Sequence, residues 1–314
     1  MTISKTDGPR QLAWLTRLKR SVLLSSFGAS PAAMLSAALI TLFLLNAIFA
    51  PFLVPQDPSD LRSLNLTDSL KPPAWMADGV WGYPLGTDGQ GRDILSAVMY
   101  GARTSLGFGL AALALASLLG IPIGLIAGYT GGFLDSVLMR VADTQLTFPP
   151  ILIALLLDGI GRAVLSRSMQ QSLQPLWVVL AIGVSLWPQF ARLVRASTLV
   201  ERGKDYILAA RLVGVSRSRI LALHILPNIG SPILVFAAIN LSFAIVAEAT
   251  LSFLGVGLPP TEPSLGTLIM TGNDFLLSGE WWMSLFPGLA LMSLVMAINC
   301  LADSFQDRLH ISPG

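Results

Sequence analysis

The side chains that usually carry chemistry are few in this chain, and their spacing points to recognition rather than catalysis. A phosphate-cradling loop needs a glycine-rich turn ending in Gly-Lys-Ser/Thr, so that backbone N–H groups and one ammonium converge on the phosphates. The lysines are Lys5, Lys19, Lys71 and Lys204; only Lys204 follows a glycine, Asp205 comes next, and Thr198 stands where the first glycine belongs. Neither H-E-x-x-H nor G-x-S-x-G occurs. The one cysteine, Cys300, and the two histidines, His224 and His310, make no intrachain disulfide and no Cys/His metal set. Cys300 lies in an apolar segment and reads as a small packing residue. No catalytic residue and no cofactor or metal site is expected in this chain.

Three polar groupings interrupt the apolar sequence instead. Residues 203–228 carry Asp205, Tyr206, Ala209, Ala210, Arg211, Gly214, Ser216, His224 and Pro227. They read as two short helices around a turn. Ala209, Ala210 and Val213 recur at helical spacing and predict a small, smooth face. Gly214 suits a backbone conformation that larger residues resist. Ser216 is placed to cap the next helix by accepting a backbone N–H, and Pro227 to end it. A small-residue helix on a basic loop suits insertion into a groove on another protein; it equally fits an ordinary basic loop beside a membrane. The second grouping is Gly86, Thr87, Asp88, Gly91, Arg92 and Asp93, in which the aspartates can hold turn amides and Arg92 can bridge them. It reads either as a contact for a second protein or as a rigid turn. The third is Glu248, alone in an apolar segment, a candidate for a transport pathway or for packing against a partner chain. Arg140 and Asp143, three apart on one helix face, are expected to pair, and Asp135 to tie down the turn after Gly131 and Gly132.

The elements that position these residues must be membrane helices. Of 314 residues, 53% are apolar and 12% charged, with a mean hydropathy of +0.68; a soluble domain carries about a quarter charged residues. The net charge of +2 gives no sign of a nucleic-acid partner. A crossing needs about 20 mostly apolar residues, because lipid offers backbone amides no partner. Six segments qualify: 32–54, 105–129, 133–157, 176–194, 230–254 and 284–302. The third is interrupted by Arg140, Asp143 and Pro149-Pro150, and the fourth contains Trp187-Pro188. The first run is too long for a signal-peptide core of about 7–15 residues and is expected to stay as a membrane helix.

If these segments alternate with the N-terminus inside, fourteen of the 20 Lys and Arg residues fall inside and six outside. The bias places both termini and residues 203–228 in the cytoplasm, and the acidic loops 55–97 and 255–283 outside. Trp281 and Trp282 fit interfacial anchors. No internal repeat is evident, which disfavours an inverted-repeat secondary carrier. The expected organisation is a cytoplasmic tail over 1–30, a first transmembrane helix over 31–54, an outer loop over 55–97 and a core domain over 98–310 containing the inner loop 195–228. In the tail, Trp14, Leu15 and Leu18 suit the bilayer surface, with Arg17, Lys19 and Arg20 toward lipid phosphates.

Ala209-Ala210, Gly214 and Leu226-Pro227 resemble the EAA-x3-G-x9-I-x-LP loop of ABC-importer permeases. Leu208 replaces its acidic first letter, and His224 stands where the general pattern has Ile. The His-x-Leu-Pro-Asn form is familiar in the peptide and nickel branch. Residues 85–93, Leu-Gly-Thr-Asp-Gly-Gln-Gly-Arg-Asp, resemble the LGTDxxGRD signature of dipeptide/oligopeptide/nickel permeases. Gly128-Tyr129-Thr130-Gly131-Gly132, Trp187-Pro188 with Arg192 and Arg195, Glu248 ahead of Leu251-Ser252-Phe253-Leu254-Gly255, and Phe286-Pro287-Gly288 fit as well. The resemblance spans roughly residues 30–310. It implies an all-α polytopic protein with six transmembrane helices in the type I ABC-importer permease fold, acting as a C-type subunit in a bacterial inner membrane. The implied partners are a homologous second permease, two ATPase subunits that bind ATP and Mg, and an extracytoplasmic substrate-binding protein. The implied activity is import of di- or oligopeptides by alternating access, with ATPase contact at 205–216. Nickel, glutathione, opines or oligosaccharides are other cargoes of such an architecture, and a stand-alone secondary carrier is the competing class.

Overall fold

The computed structural model describes residues 31–58, 65–164, 167–259 and 262–311; the expectations for residues 1–30 lie outside them. The long helices are α1 (Pro31–Leu53), α2 (Ile94–Thr130), α3 (Gly132–Leu146), α4 (Pro150–Val164) and α5 (Arg167–Glu201). A short joint follows, made of α6 (Asp205–Leu212), α7 (Arg217–Ile220), a π turn over Leu221–Ile225, and α8 (Leu226–Asn228). The chain then continues through α9 (Gly230–Phe253), α10 (Leu265–Phe275) and α11 (Trp282–Ile311). Among the described residues the extended backbone amounts to one isolated bridge, Thr87 to Asp93.

The central contact is α2 against α5, and small residues make it possible. An added Cβ on Gly120 would lie 2.5 Å from the Phe190 Cβ, on Gly124 2.5 Å from the Ala191 carbonyl, and on Gly128 2.7 Å from the Thr198 Cβ. Together with the buried Ala112 and Ala116, these residues recur every fourth position and line one side of α2, the pattern that lets membrane helices approach closely. Higher on the same helix, Gly101, Ser105 and Gly109 continue the stripe toward α9 and α10: a Cβ on Gly109 would meet Ile245, and one on Gly101 would meet Leu268.

These contacts also fix the topology. Residues 120, 124 and 128 face 190, 194 and 198 in order, so α2 and α5 run parallel. The chain between them must therefore cross back. α3 and α4 supply that crossing, although they meet at an 89° bend. Asp135 bonds Arg195 near one face, the Gln145 amide bonds the Val184 carbonyl at 2.6 Å, and the Trp177 indole bonds the Leu157 carbonyl at 2.8 Å toward the other. The order is antiparallel to α5, as a return crossing requires. α9 runs antiparallel to α2, with Ser105 against Glu248 and Gly109 against Ile245. α11 runs parallel to α2: Trp282 packs on Ile94, and Leu294 joins Leu106. Among the described residues, counting the bent pair as one span gives six helical segments long and apolar enough to cross a membrane.

The helices depart from the sequence expectation in instructive ways. α2 has 37 residues, about 55 Å at 1.5 Å per residue, well beyond the ~30 Å hydrocarbon layer; apolarity marks only the part in lipid. Pro122 and Pro188 lie inside continuous helices, because neighbouring helices in a membrane can accommodate the missing N–H. Pro149-Pro150 does break the helix: the first proline restricts Phe148, the second restricts Pro149, and neither has an amide to give. Arg140 and Asp143 do not pair. Asp143 instead faces Arg192 on α5 at 4.0 Å, since α3 lies against α5 over this stretch. Asp135 ties α3 to α5 through Arg195 rather than closing its own turn. Trp282 is not an interfacial anchor; it is 6% exposed and donates its indole N–H to the Thr87 carbonyl at 3.2 Å. α1 is the least enclosed crossing, with Leu35, Leu42, Ile48 and Phe52 exposed, as lipid contact requires.

Replacing Gly124 by Leu forces α2 and α5 apart and is expected to cost at least the ~1–3 kcal/mol of core overpacking. Thermal unfolding of the detergent-solubilised protein measures it. Gly107→Ala on the same helix, where an added Cβ meets nothing within 4 Å, should leave the transition unchanged.

Candidate functional site

The face that carries residues 203–228 is a braced joint. The Glu201 side chain closes α5, accepting from Lys204 Nζ at 2.7 Å and from the Tyr206 hydroxyl. Tyr206 in turn accepts from Asn228 Nδ2 at 2.8 Å, so one phenol links the end of α5 to α8. Burial first, and the Glu201 bond second, push its pKa up to about 12, keeping the phenol neutral and able to donate. Arg202 Nη1 donates to the carbonyls of Gly128 and Tyr129 at 2.7 and 3.1 Å, satisfying the end of α2 with a cation where the helix dipole favours one. Arg195 grips both oxygens of Asp135 at 2.5 and 2.8 Å, and Arg211 lies over the Tyr129 ring at 4.6 Å. Beneath them Ile207, Ile220, Ile225 and Ile229 form one buried cluster with Leu125 and Val194.

The turn after α6 is a Schellman motif. Val215 N–H bonds the Ala210 carbonyl at 3.0 Å, Gly214 N–H bonds the Arg211 carbonyl at 3.0 Å, and Gly214 has φ +83°. Nothing lies within 4 Å of where its Cβ would be, so the backbone angle and not space selects glycine. Ala210 and Val215 pack inward on the isoleucine cluster. Of the expected small face, Ala209 and Val213 are exposed, and Ala210 alone turns inward. What projects from the joint is Leu208, Leu212 and Val213, at 44%, 89% and 84% exposure, a bulky apolar edge with Asp205 at the start of its helix.

The remaining loop residues divide. Ser216 occupies the N-cap position, but its side chain makes no cap bond and sits 3.5 Å from the Ser218 hydroxyl. Pro227 does not stop the helix. It lies inside the last turn, preceded by the π turn, whose widened ring makes room for the proline against the preceding carbonyls. The break comes at Ile229 (φ −94°, ψ 6°). The His224 carbonyl accepts from Asn228 Nδ2 at 2.7 Å, and its ring stands 3.4 Å from the Arg219 carbonyl.

On the far face the 86–93 turn is enclosed. Thr87, Asp88, Arg92 and Asp93 are all buried. Asp88 Oδ1 accepts the amides of Gln90 and Arg92 at 2.8 and 2.9 Å. Burial pushes the Asp88 carboxyl up, and these amides oppose the shift. Asp93 caps α2 through Ser96 N–H at 2.8 Å, while Gly86 and Gly91 take φ +86° and +74°. Arg92 does not bridge the two aspartates; its Nε and the Asp93 Oδ1 are both buried without a hydrogen-bond partner. Glu248 is likewise inside the chain, fully buried, accepting from the hydroxyls of Ser105 at 2.7 Å and Ser252 at 2.8 Å. In this arrangement it faces neither a pathway nor a partner surface. The serines in turn accept backbone amides of Leu265 and Leu258 at 3.1 and 3.2 Å, so the carboxylate ties α2 and α9 to the segment entering α10.

Sequence reasoning passed over Glu201, Arg202 and Asn228 as site residues. For Glu201 and Arg202 the only signal was position near the end of an apolar run; Asn228 also closes the His-x-Leu-Pro-Asn form. The period-four small residues of α2 were visible, but only a partner helix gives them meaning.

A membrane bundle with one braced, exposed joint between its fourth and fifth crossings is the architecture of a transport permease. Residues 120–311 match the model of the binding-protein-dependent transport system inner membrane component, and residues 9–73 that of the N-terminal TM domain of oligopeptide transport permease C. The chain belongs to the binding-protein-dependent inner-membrane permease family. It is 35% identical over 283 residues to the dipeptide transport system permease protein DppC of Haemophilus influenzae, covering 90% of this chain and 91% of that protein. It is 39% identical over 271 residues to a putative peptide transport system permease protein of Brucella suis, covering 86% and 84%. Among solved structures, the inward-facing MetNI methionine ABC transporter aligns with a TM-score of 0.54 at 20% identity, covering 70% of this chain and 98% of that one, a likeness of fold.

Tyr206→Phe removes both bonds of the phenol, one to the buried Glu201 carboxylate and one to the exposed Asn228, a loss of about 1–2 kcal/mol. Hydrogen–deuterium exchange should show amides 204–215 exchanging roughly tenfold faster, with α2 and α9 unchanged.

Proposed function

We propose that this chain forms half of the translocation pathway of an ATP-driven importer of di- or oligopeptides. A homologous but distinct permease supplies the other half, two ATPase subunits dock on the 205–216 joint, and a binding protein delivers cargo from outside. ATP and Mg are bound by the ATPases, and this chain carries no cofactor. The protein lies in the bacterial inner membrane with both termini cytoplasmic, the orientation that the Lys/Arg bias favours. The peptide cargo is supported by relatives named for dipeptide and peptide transport.

The observation that carries the reading is the edge of Leu208, Leu212 and Val213, exposed on a helix that Glu201, Tyr206 and Asn228 hold rigid. An apolar edge beside water is costly unless something covers it, and a rigid mount passes displacement on instead of absorbing it. Arg202 hands movement of the joint to α2, and the Arg195–Asp135 fork hands it to α3. Leu208 puts an apolar contact where the family's loop has an acidic one. Asp205, Arg211 and the flanking arginines are left to supply polar contacts with the ATPase.

Leu212→Asp combined with Val213→Asp should abolish stoichiometric co-purification of the ATPase subunits, since each buried side chain contributes about 1.5–3 kcal/mol. Gly214→Arg strains the turn and should uncouple ATP hydrolysis from uptake of labelled dialanine; Gly214→Asn, which tolerates a positive φ, should retain both. Normal peptide-stimulated hydrolysis and uptake in Gly214→Arg would refute the coupling role. A wild-type protein that purifies as a homo-oligomer without an ATPase would refute the importer reading.

A further inference from the structure

A cavity of about 640 Å³ opens between α3, α5 and α9 in the half of the bundle nearer the joint; its wall includes Met139, Asp143, Leu146, Gln189, Arg192 and Phe236. Two opposite charges stand in it. Asp143 Oδ1 lies 4.0 Å from Arg192 Nε, and the two side chains keep 59% and 62% exposure. One turn further along α5, Arg195 lines the same cavity, but its guanidinium is held by both oxygens of Asp135 at 2.5 and 2.8 Å. The neighbouring arginines therefore differ in kind: one is locked into the scaffold, and the other makes a single loose approach that leaves most of its donors to the cavity.

Charged side chains on membrane-crossing helices face water-filled space or a partner, because facing lipid is costly. A second cavity of about 560 Å³ shares Leu193 and Phe236 with the first, and Val235 and Ile239 give it apolar walls. A dipolar wall thus adjoins an apolar recess.

We propose that Asp143 and Arg192 form a transit subsite for a zwitterionic, amino-acid-derived cargo. Arg192 receives the carboxylate, Asp143 receives the ammonium, and the apolar recess takes a side chain. The loose pairing is the feature that suits transit: a ligand can insert between the two groups without first breaking a close ion pair, and can leave as readily. A bare metal cation would find one ligand and a repelling guanidinium. This inference rests on the reading of the chain as half of a peptide pathway, and it names the residues that meet the cargo.

The test uses the full complex in proteoliposomes with its ATPases, second permease and binding protein, and dialanine as cargo. Arg192→Gln and Asp143→Asn should each lower dialanine uptake about tenfold, the loss expected for one charged hydrogen bond, while the complex still assembles on size exclusion. In a Cys300→Ala background, Gln189→Cys leaves both charges in place and reports on the cavity. A charged, membrane-impermeant thiol reagent should label it, and labelling should slow when dialanine, loaded binding protein and ATP are present. Wild-type uptake by both neutral variants, or a Gln189→Cys that resists the reagent as a dry interface residue would, overturns the subsite while leaving peptide import standing. Absence of dialanine uptake by the wild-type complex overturns peptide import and the subsite with it.

Discussion

Where Gly120, Gly124 and Gly128 of α2 meet Phe190, Val194 and Thr198 of α5, two backbones approach with no room for a Cβ on one side. Lipid gives no hydrophobic drive for helices to associate, so close packing and hydrogen bonds must hold them. The glycines let α2 and α5 lie in contact along half their length, and the parallel order of that contact forces the intervening chain to cross the membrane again. α9 and α11 are then placed by the upper part of the same helix. The rest of the bundle is arranged around α2, and the arrangement depends on residues whose contribution is the absence of a side chain.

Both ends of α2 are fixed by polar groups that lie outside the apolar stretch. At one end Asp93 caps the first turn and Trp282 bonds the Thr87 carbonyl beside it. At the other, Arg202 takes the last carbonyls. Glu248, with its two serines, fastens α9 to the same helix near the far face. Both termini of α2 are therefore anchored to neighbouring elements by side-chain hydrogen bonds and not by apolar contact alone.

Much of this was readable in the residues, and the failures follow a pattern. The crossings, their order and the joint followed from hydropathy and from Gly214, whose positive φ answers the sequence signal directly. The extent of α2 did not, because hydropathy ends where lipid ends and a helix does not. Arg140 and Asp143 were spaced to pair on one helix, yet a neighbouring helix offered Asp143 a different arginine. Ala209 and Ala210 looked like a contact face by composition. The tertiary cluster around Ile207 turns Ala210 inward and leaves Ala209 outside beside the larger Leu208, Leu212 and Val213. Local spacing shows which residues share a side of a helix; which side is covered is decided by the neighbour.

The bend between α3 and α4 has a consequence for hydration. The Leu146 carbonyl has Pro149 and Pro150 at the third and fourth positions after it, and neither carries an amide hydrogen. A lone carbonyl in hydrocarbon is costly by several kcal/mol. The bend is therefore excluded from acyl chains and must be wetted or buried in protein. Leu146 also lines the larger cavity, so the break in the helix pair adjoins open space from which its carbonyl can be hydrated.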